Sequence, residues 1–115
     1  MKKSKFSDKE RLAHILTSVN FIIKYTAGLN EDEFLRDEIL KRAIVREFEV
    51  LGEAANYLSE EIQTKYNNIE WAKIISLRNR LIHEYLDVNY RTVWEIVKEE
   101  INNLKENVEL ILSVL

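Results

Sequence analysis

The sequence predicts an all-α fold, an antiparallel bundle of four to five helices, and three observations carry that prediction. Its 115 residues include two glycines and no proline, whereas β-rich folds need frequent turn residues. Apolar side chains recur at steps of three and four over long stretches, the spacing that lines one face of a helix. Polar capping signals stand where those stretches begin.

Each element follows in order. Met1 to Phe6 is a short basic tail. Ser7-Asp8-Lys9-Glu10 has the form of a capping box, in which Ser and a Glu three residues later satisfy each other's backbone N–H groups. Leu12, Ile15, Leu16, Val19, Ile22, Ile23 and Thr26 follow at helical spacing, and Gly28 closes the helix. His14 has no acidic or thiol companion nearby and reads as a surface or partly packed residue. Asn30-Glu31-Asp32-Glu33 repeats the cap, with Phe34 and Leu35 anchoring a short turn. Asp37 either caps again or lies inside a helix that runs straight through.

The stretch to Ser59 carries a core stripe of Leu40, Ile44, Phe48, Leu51, Ala55 and Leu58. Glu53 falls opposite Ile44, nine steps of ~100° away, flanked by Arg46 and Glu49. It is either an exposed charge or an acidic partner for an arginine elsewhere. Gly52 costs ~1 kcal/mol relative to Ala inside a helix, so a close helix contact is expected there. Ser59 caps a short helix to Tyr66, and Tyr66-Asn67-Asn68-Ile69 is a polar break. Trp71, Ile74, Ile75, Leu77, Leu81 and Ile82 predict a further helix, the last two packing beneath a basic face. Asn89 caps the final helix, whose seam of Tyr90, Trp94, Val97, Ile101, Leu104, Val108, Ile111 and Leu115 predicts one long rod.

Composition narrows the function. There is no cysteine, hence no disulfide or thiolate metal site, and with no signal-like apolar start a cytoplasmic location is expected. No apolar run reaches the ~18 residues that a membrane helix needs. The net charge of −3 speaks against a general nucleic-acid coat but leaves room for a local basic site. Histidines lie too far apart for metal-ligand spacing, and neither a Gly-rich phosphate loop nor a nucleophile elbow occurs. No metal or cofactor is expected.

Chemistry concentrates in Arg78-Asn79-Arg80-Leu81-Ile82-His83-Glu84-Tyr85. Arginine offers planar bidentate donors for phosphate that never deprotonate, and an imidazole titrates near neutral pH. Arg78 and His83, five steps apart on one helix, diverge by ~140°, while Asn79 and His83 share a face and Arg78 and Tyr85 nearly eclipse. A phosphate site built on both Arg78 and His83 therefore calls for a second copy of the chain or a long reach by the arginine. On residue types alone, an amphipathic helix with a basic solvent face explains the cluster as well.

The order Arg, four residues, His, one residue, Tyr is similar to the signature of HEPN-domain ribonucleases, and the chain resembles their HepT-like family, also known as DUF86. Arg11-Leu12-Ala13-His14-Ile15-Leu16 resembles the family's opening helix, and Leu51-Gly52-Glu53-Ala54-Ala55 its Gly-Glu-Ala segment. Ile69-Glu70-Trp71 and the Arg78–Tyr85 stretch resemble its approach to the active site. Val88-Asn89-Tyr90 with Val93-Trp94-Glu95 resembles the start of its last helix. Asn67 and Asn102 stand where the family often has proline, which affects local stiffness and not the motif.

The resemblance covers nearly the whole chain and implies one HEPN-like domain over residues 1–115, dimeric, with the motif in the dimer cleft. It further implies a type VII toxin of a toxin–antitoxin pair, a metal-independent endoribonuclease acting on RNA. On that resemblance Arg78 and His83 are catalytic, Asn79, Arg80 and Glu53 support them or bind RNA, and a minimal nucleotidyltransferase antitoxin attaches AMP to Tyr85. The partners expected are RNA, that antitoxin, and a second copy or a larger hetero-oligomer. A competing reading makes the chain a non-catalytic nucleotide-binding or scaffolding subunit beside a nucleotidyltransferase, and a blander one makes it a structural adaptor.

Overall fold

A computed structural model describes residues 5–84 and 86–115. Seven helices and no strand occur among the described residues: α1 (Asp8–Thr26), α2 (Glu31–Arg36), α3 (Glu38–Asn56), α4 (Glu60–Lys65), α5 (Trp71–His83), α6 (Tyr90–Glu99) and α7 (Ile101–Val114). The all-α helical bundle expected from the periodicity is observed, with two single-turn helices and one interruption raising the number of elements.

The ends of the helices are fixed by the predicted caps. Ser7 Oγ accepts from Glu10 N at 3.1 Å while Glu10 Oε1 accepts from Ser7 N at 3.3 Å. Asn30 and Glu33 repeat that exchange at 2.8 and 3.0 Å. Gly28 takes φ 77° just past the C-cap of α1, a conformation that costs a residue with a Cβ ~1–2 kcal/mol. At Asp37 the cap alternative is the one observed. Its Oδ1 accepts from Leu40 N at 2.9 Å, ending α2 and starting α3. Glu70 gives α5 no side-chain cap. The turn before it is pinned instead by Trp71, whose indole Nε1 donates to Tyr66 O at 3.1 Å.

α3 lies at the centre, packed between α1 and α5, and α1 packs on its other side against α7. The start of α1 meets the end of α3, since the Asp8 carboxylate accepts from Ser59 N at 2.8 Å and Ser59 Oγ at 2.6 Å. These two helices are therefore antiparallel. Leu12, Ile15, Val19 and Ile22 from α1 bury against Ile44, Phe48, Leu51 and Ala55 from α3. Full burial of such a side chain stabilises the fold by ~1.5–3 kcal/mol. Trp94 stacks on Phe34 with ring centroids 5.1 Å apart, which ties α6 to α2.

Two expectations need correction. The final helix is not one rod: the backbone departs from helical geometry at Glu100 (φ −121°, ψ −26°), which ends α6 and begins α7. Val97, Ile101 and Leu104 remain buried on either side, so the seam stays in register across the break and periodicity alone could not reveal it. The Glu100 carboxylate reaches across to Lys73 Nζ of α5 at 2.8 Å, and this contact holds the Lys73 ammonium above its ordinary pKa. The second correction concerns Ile82, which does not pack beneath the basic face but is 38% exposed.

Candidate active site

Gly52 sets the site by letting α5 approach α3. A Cβ added at Gly52 would collide with Arg78 Cβ and stand 2.9 Å from Arg78 Cγ and 3.3 Å from the Ile74 carbonyl oxygen. The glycine thus admits the stem of Arg78 directly over α3. One residue later, Glu53 forms an ion pair with Arg78 through Oε2 and Nη2. Glu53 is therefore the acidic partner of an arginine, the sharper of its two sequence readings.

Arg78 is held at two points on its outer edge. Nη2 meets Glu53, and Nη1 donates to Asn79 Oδ1 at 2.8 Å. Asn79 thereby serves the guanidinium and not the imidazole of His83. Arg78 Nε is buried and has no hydrogen-bond partner among the described residues.

The guanidinium borders a cleft of about 350 Å³. Its walls come from Arg11 and His14 of α1, Arg46, Glu49, Val50, Glu53 and Ala54 of α3, and Arg78 and Ile82 of α5. Two other expected site residues lie elsewhere. Arg80, two residues from Arg78 and ~160° around the helix, lines a separate groove of about 670 Å³ between α5 and α6–α7. That groove is larger but has an apolar floor including Phe48, Leu51 and Leu104 and holds none of the motif's other described residues. Its size does not make it the site of the chemistry.

His83 is exposed in the last turn of α5 and lines neither recess. The structure thus brings Arg78, Asn79 and Glu53 together in one chain and leaves His83 and Arg80 apart from them. Tyr85 lies outside the described residues. Among the described residues no group of three or more His, Cys, Asp or Glu side chains could hold a metal ion, and no helix is long and apolar enough to cross a membrane.

Sequence reasoning missed the gathering of Arg11, His14 and Arg46 at the Arg78 cleft. Arg11 and His14 are three apart on α1, and Arg46, Glu49 and Glu53 recur at three and four on α3, so each set shares a helix face. That much was readable. Which face of α1 meets which face of α3 depends on the packing.

A helical bundle with an arginine clamped by a Glu-Ala-segment carboxylate and a histidine one turn beyond defines a class that the comparisons make specific. The profile of the family described as ribonuclease HepT-like matches residues 15–111. The chain belongs to that family. It is 41% identical to a protein of Caldanaerobacter subterraneus subsp. tengcongensis named "Putative RNase", over 89% of this chain and 91% of that one. A "Putative RNase" of Methanocaldococcus jannaschii is 35% identical over 94% and 99% of the two chains. A "Probable ribonuclease HepT" of Thermococcus cleftensis is 31% identical over 91% and 96%. No solved structure matches significantly.

Proposed function

We propose that this chain is a metal-independent endoribonuclease whose reactive site is completed by a second copy. One observation carries the reading: Arg78 is fixed over the cleft by Glu53 while His83, on the same helix, stands exposed and outside it. Family membership supports the activity, and the separation supports the second copy. A two-fold axis near the end of α5 sets the His83 of one copy against the Arg78 of the other.

In this arrangement the ribose 2′-hydroxyl attacks the adjacent phosphorus and the P–O5′ bond breaks, leaving a 2′,3′-cyclic phosphate and a 5′-hydroxyl. His83 takes the proton from the 2′-oxygen or gives one to the departing 5′-oxygen, and water exchanges the other, so that the proton lost at the 2′-oxygen is matched by one gained at the 5′-oxygen. Arg78 faces the phosphate oxygens, where negative charge grows in the transition state. Arg80 and the exposed end of α5 extend RNA contact.

We propose further that the protein is the toxin of a type VII pair, within a single domain spanning the chain. Its antitoxin is a minimal nucleotidyltransferase that transfers AMP from ATP to the hydroxyl of Tyr85, breaking the bond between the α- and β-phosphates and releasing pyrophosphate. A phosphodiester and a nucleoside attached two residues from His83 oppose docking of the RNA phosphate by charge and by bulk. Cleavage of RNA in the presence of EDTA, compared for the wild type, Arg78→Ala and His83→Ala, tests the nuclease. Each variant is expected to lose ~10²–10³ in rate with its helical signal intact. Full activity in the His83 variant, or complete inhibition of the wild type by EDTA, overturns the assignment. The competing reading, a nucleotide-binding scaffold, gains support if the wild type binds AMP or ATP and cuts no RNA.

A further inference from the structure

The Arg78 cleft holds more basic chemistry than the motif accounts for. Besides Arg78 its walls carry Arg11, His14 and Arg46, against two carboxylates, Glu49 and Glu53. Counting side chains with histidine neutral, three arginines less two glutamates leave +1, in a chain whose net charge is −3. The cleft is a local reversal of the molecule's sign.

Each basic group is presented differently. The Arg11 guanidinium lies over the Tyr57 ring at 4.7 Å and the Phe6 ring at 4.8 Å, cation–π contacts that help hold it in place. His14 is edge-on to the same Phe6 ring, centroids 5.0 Å apart, so one aromatic side chain orients both groups at the rim. Arg46 is paired only loosely, 3.9 Å from Glu49, and its side chain is 71% exposed. An ion pair of that kind contributes at most ~1 kcal/mol, so Arg46 can turn to an incoming anion at little cost.

None of these three residues belongs to the Arg78–Tyr85 motif. We infer that Arg11, His14 and Arg46 form a subsite for an RNA backbone phosphate flanking the scissile one, held in the same cleft as Arg78. The inference rests on the ribonuclease reading above. Arginine suits a phosphate through its bidentate geometry, and an imidazole N–H adds one oriented donor. The subsite fixes which stretch of single strand crosses Arg78 and leaves the proton-transfer step to His83.

The test measures binding of a fluorescently labelled single-stranded RNA by anisotropy over a salt series, beside cleavage of the same RNA. Arg46→Gln and His14→Gln are expected to weaken binding about five- to tenfold. Arg46→Gln should also flatten the plot of log affinity against log salt by about 0.7, the value of one single-strand phosphate contact. In cleavage both should raise KM and leave kcat within about threefold. Arg36→Gln, on an arginine also well exposed but outside the cleft, should change none of these. Unchanged affinity and slope in both cleft variants overturn the subsite. So does an equal loss in Arg36→Gln, which marks diffuse electrostatics, or a wild type that binds no RNA. If the cleft variants weaken binding and the wild type cuts nothing, the subsite stands and the ribonuclease reading falls.

Discussion

At the scale of single residues, the site depends on one missing methyl group. Gly52 costs α3 some helix stability, yet any Cβ there meets the Arg78 side chain. Gly52→Ala gains ~1 kcal/mol of helix propensity and loses ~1–3 kcal/mol to overpacking. The net loss of ~0–2 kcal/mol lowers the melting temperature by up to roughly 10 °C, with a much larger loss of RNA cleavage because Arg78 is displaced. A variant as stable and as active as the wild type contradicts the close contact.

Glu53→Gln probes the next link. It keeps the shape of the side chain but removes the counter-charge from a guanidinium whose side chain is only 26% exposed. The fold should survive, with kcat down roughly 10–100-fold and a smaller effect on KM. A change confined to KM would show that Glu53 acts on RNA binding and not on the placement of Arg78.

At the scale of elements, local chemistry decides where helices start and long-range packing decides how they meet. Ser7, Asn30, Asp37, Ser59 and Asn89 each accept a backbone N–H three residues on. Four of them were legible, because a short polar side chain before an apolar repeat has this use and few others, whereas at Asp37 the sequence left a cap and a continuous helix both open. The break at Glu100 was not legible, since it leaves the apolar seam in step and involves Lys73, 27 residues earlier. For the same reason the motif's chemistry was readable but its partition was not. Helical geometry separates Arg78 from His83, whereas only packing shows that α1 brings Arg11 and His14 to the same cleft.

The clasp between α1 and α3 offers a test at this scale. Asp8→Ala leaves Ser59 N and Oγ without their acceptor, which should cost about 1–3 kcal/mol. A lower urea midpoint with an unchanged m-value is the expected signature. An unchanged midpoint would mean that the helix ends are held together by apolar packing alone.

At the scale of the whole molecule, one copy presents a clamped arginine and an exposed histidine that lies outside the arginine's cleft. Tyr85 supplies the control point in this account. Co-expression with the nucleotidyltransferase should add the mass of AMP to the peptide that contains Tyr85, and Tyr85→Phe should escape neutralisation. An unmodified Tyr85 in a fully silenced complex counts against covalent control.

The central claim is that Arg78 and His83 act on one phosphate from different copies. Arg78→Ala and His83→Ala, each inactive alone, are unfolded, mixed and refolded together, and RNA cleavage is measured beside a mixture of wild type with the double variant. The mixed single variants pair one intact Arg78 with one intact His83 on opposite copies. Activity should therefore return to at least ~10-fold above either variant alone, given the ~10²–10³ lost by each. In the second mixture the heterodimers carry both residues on one copy and should add nothing beyond the wild-type homodimers. No recovery in the first mixture, with extra activity from the heterodimers of the second, would place the whole site within a single chain and contradict the account.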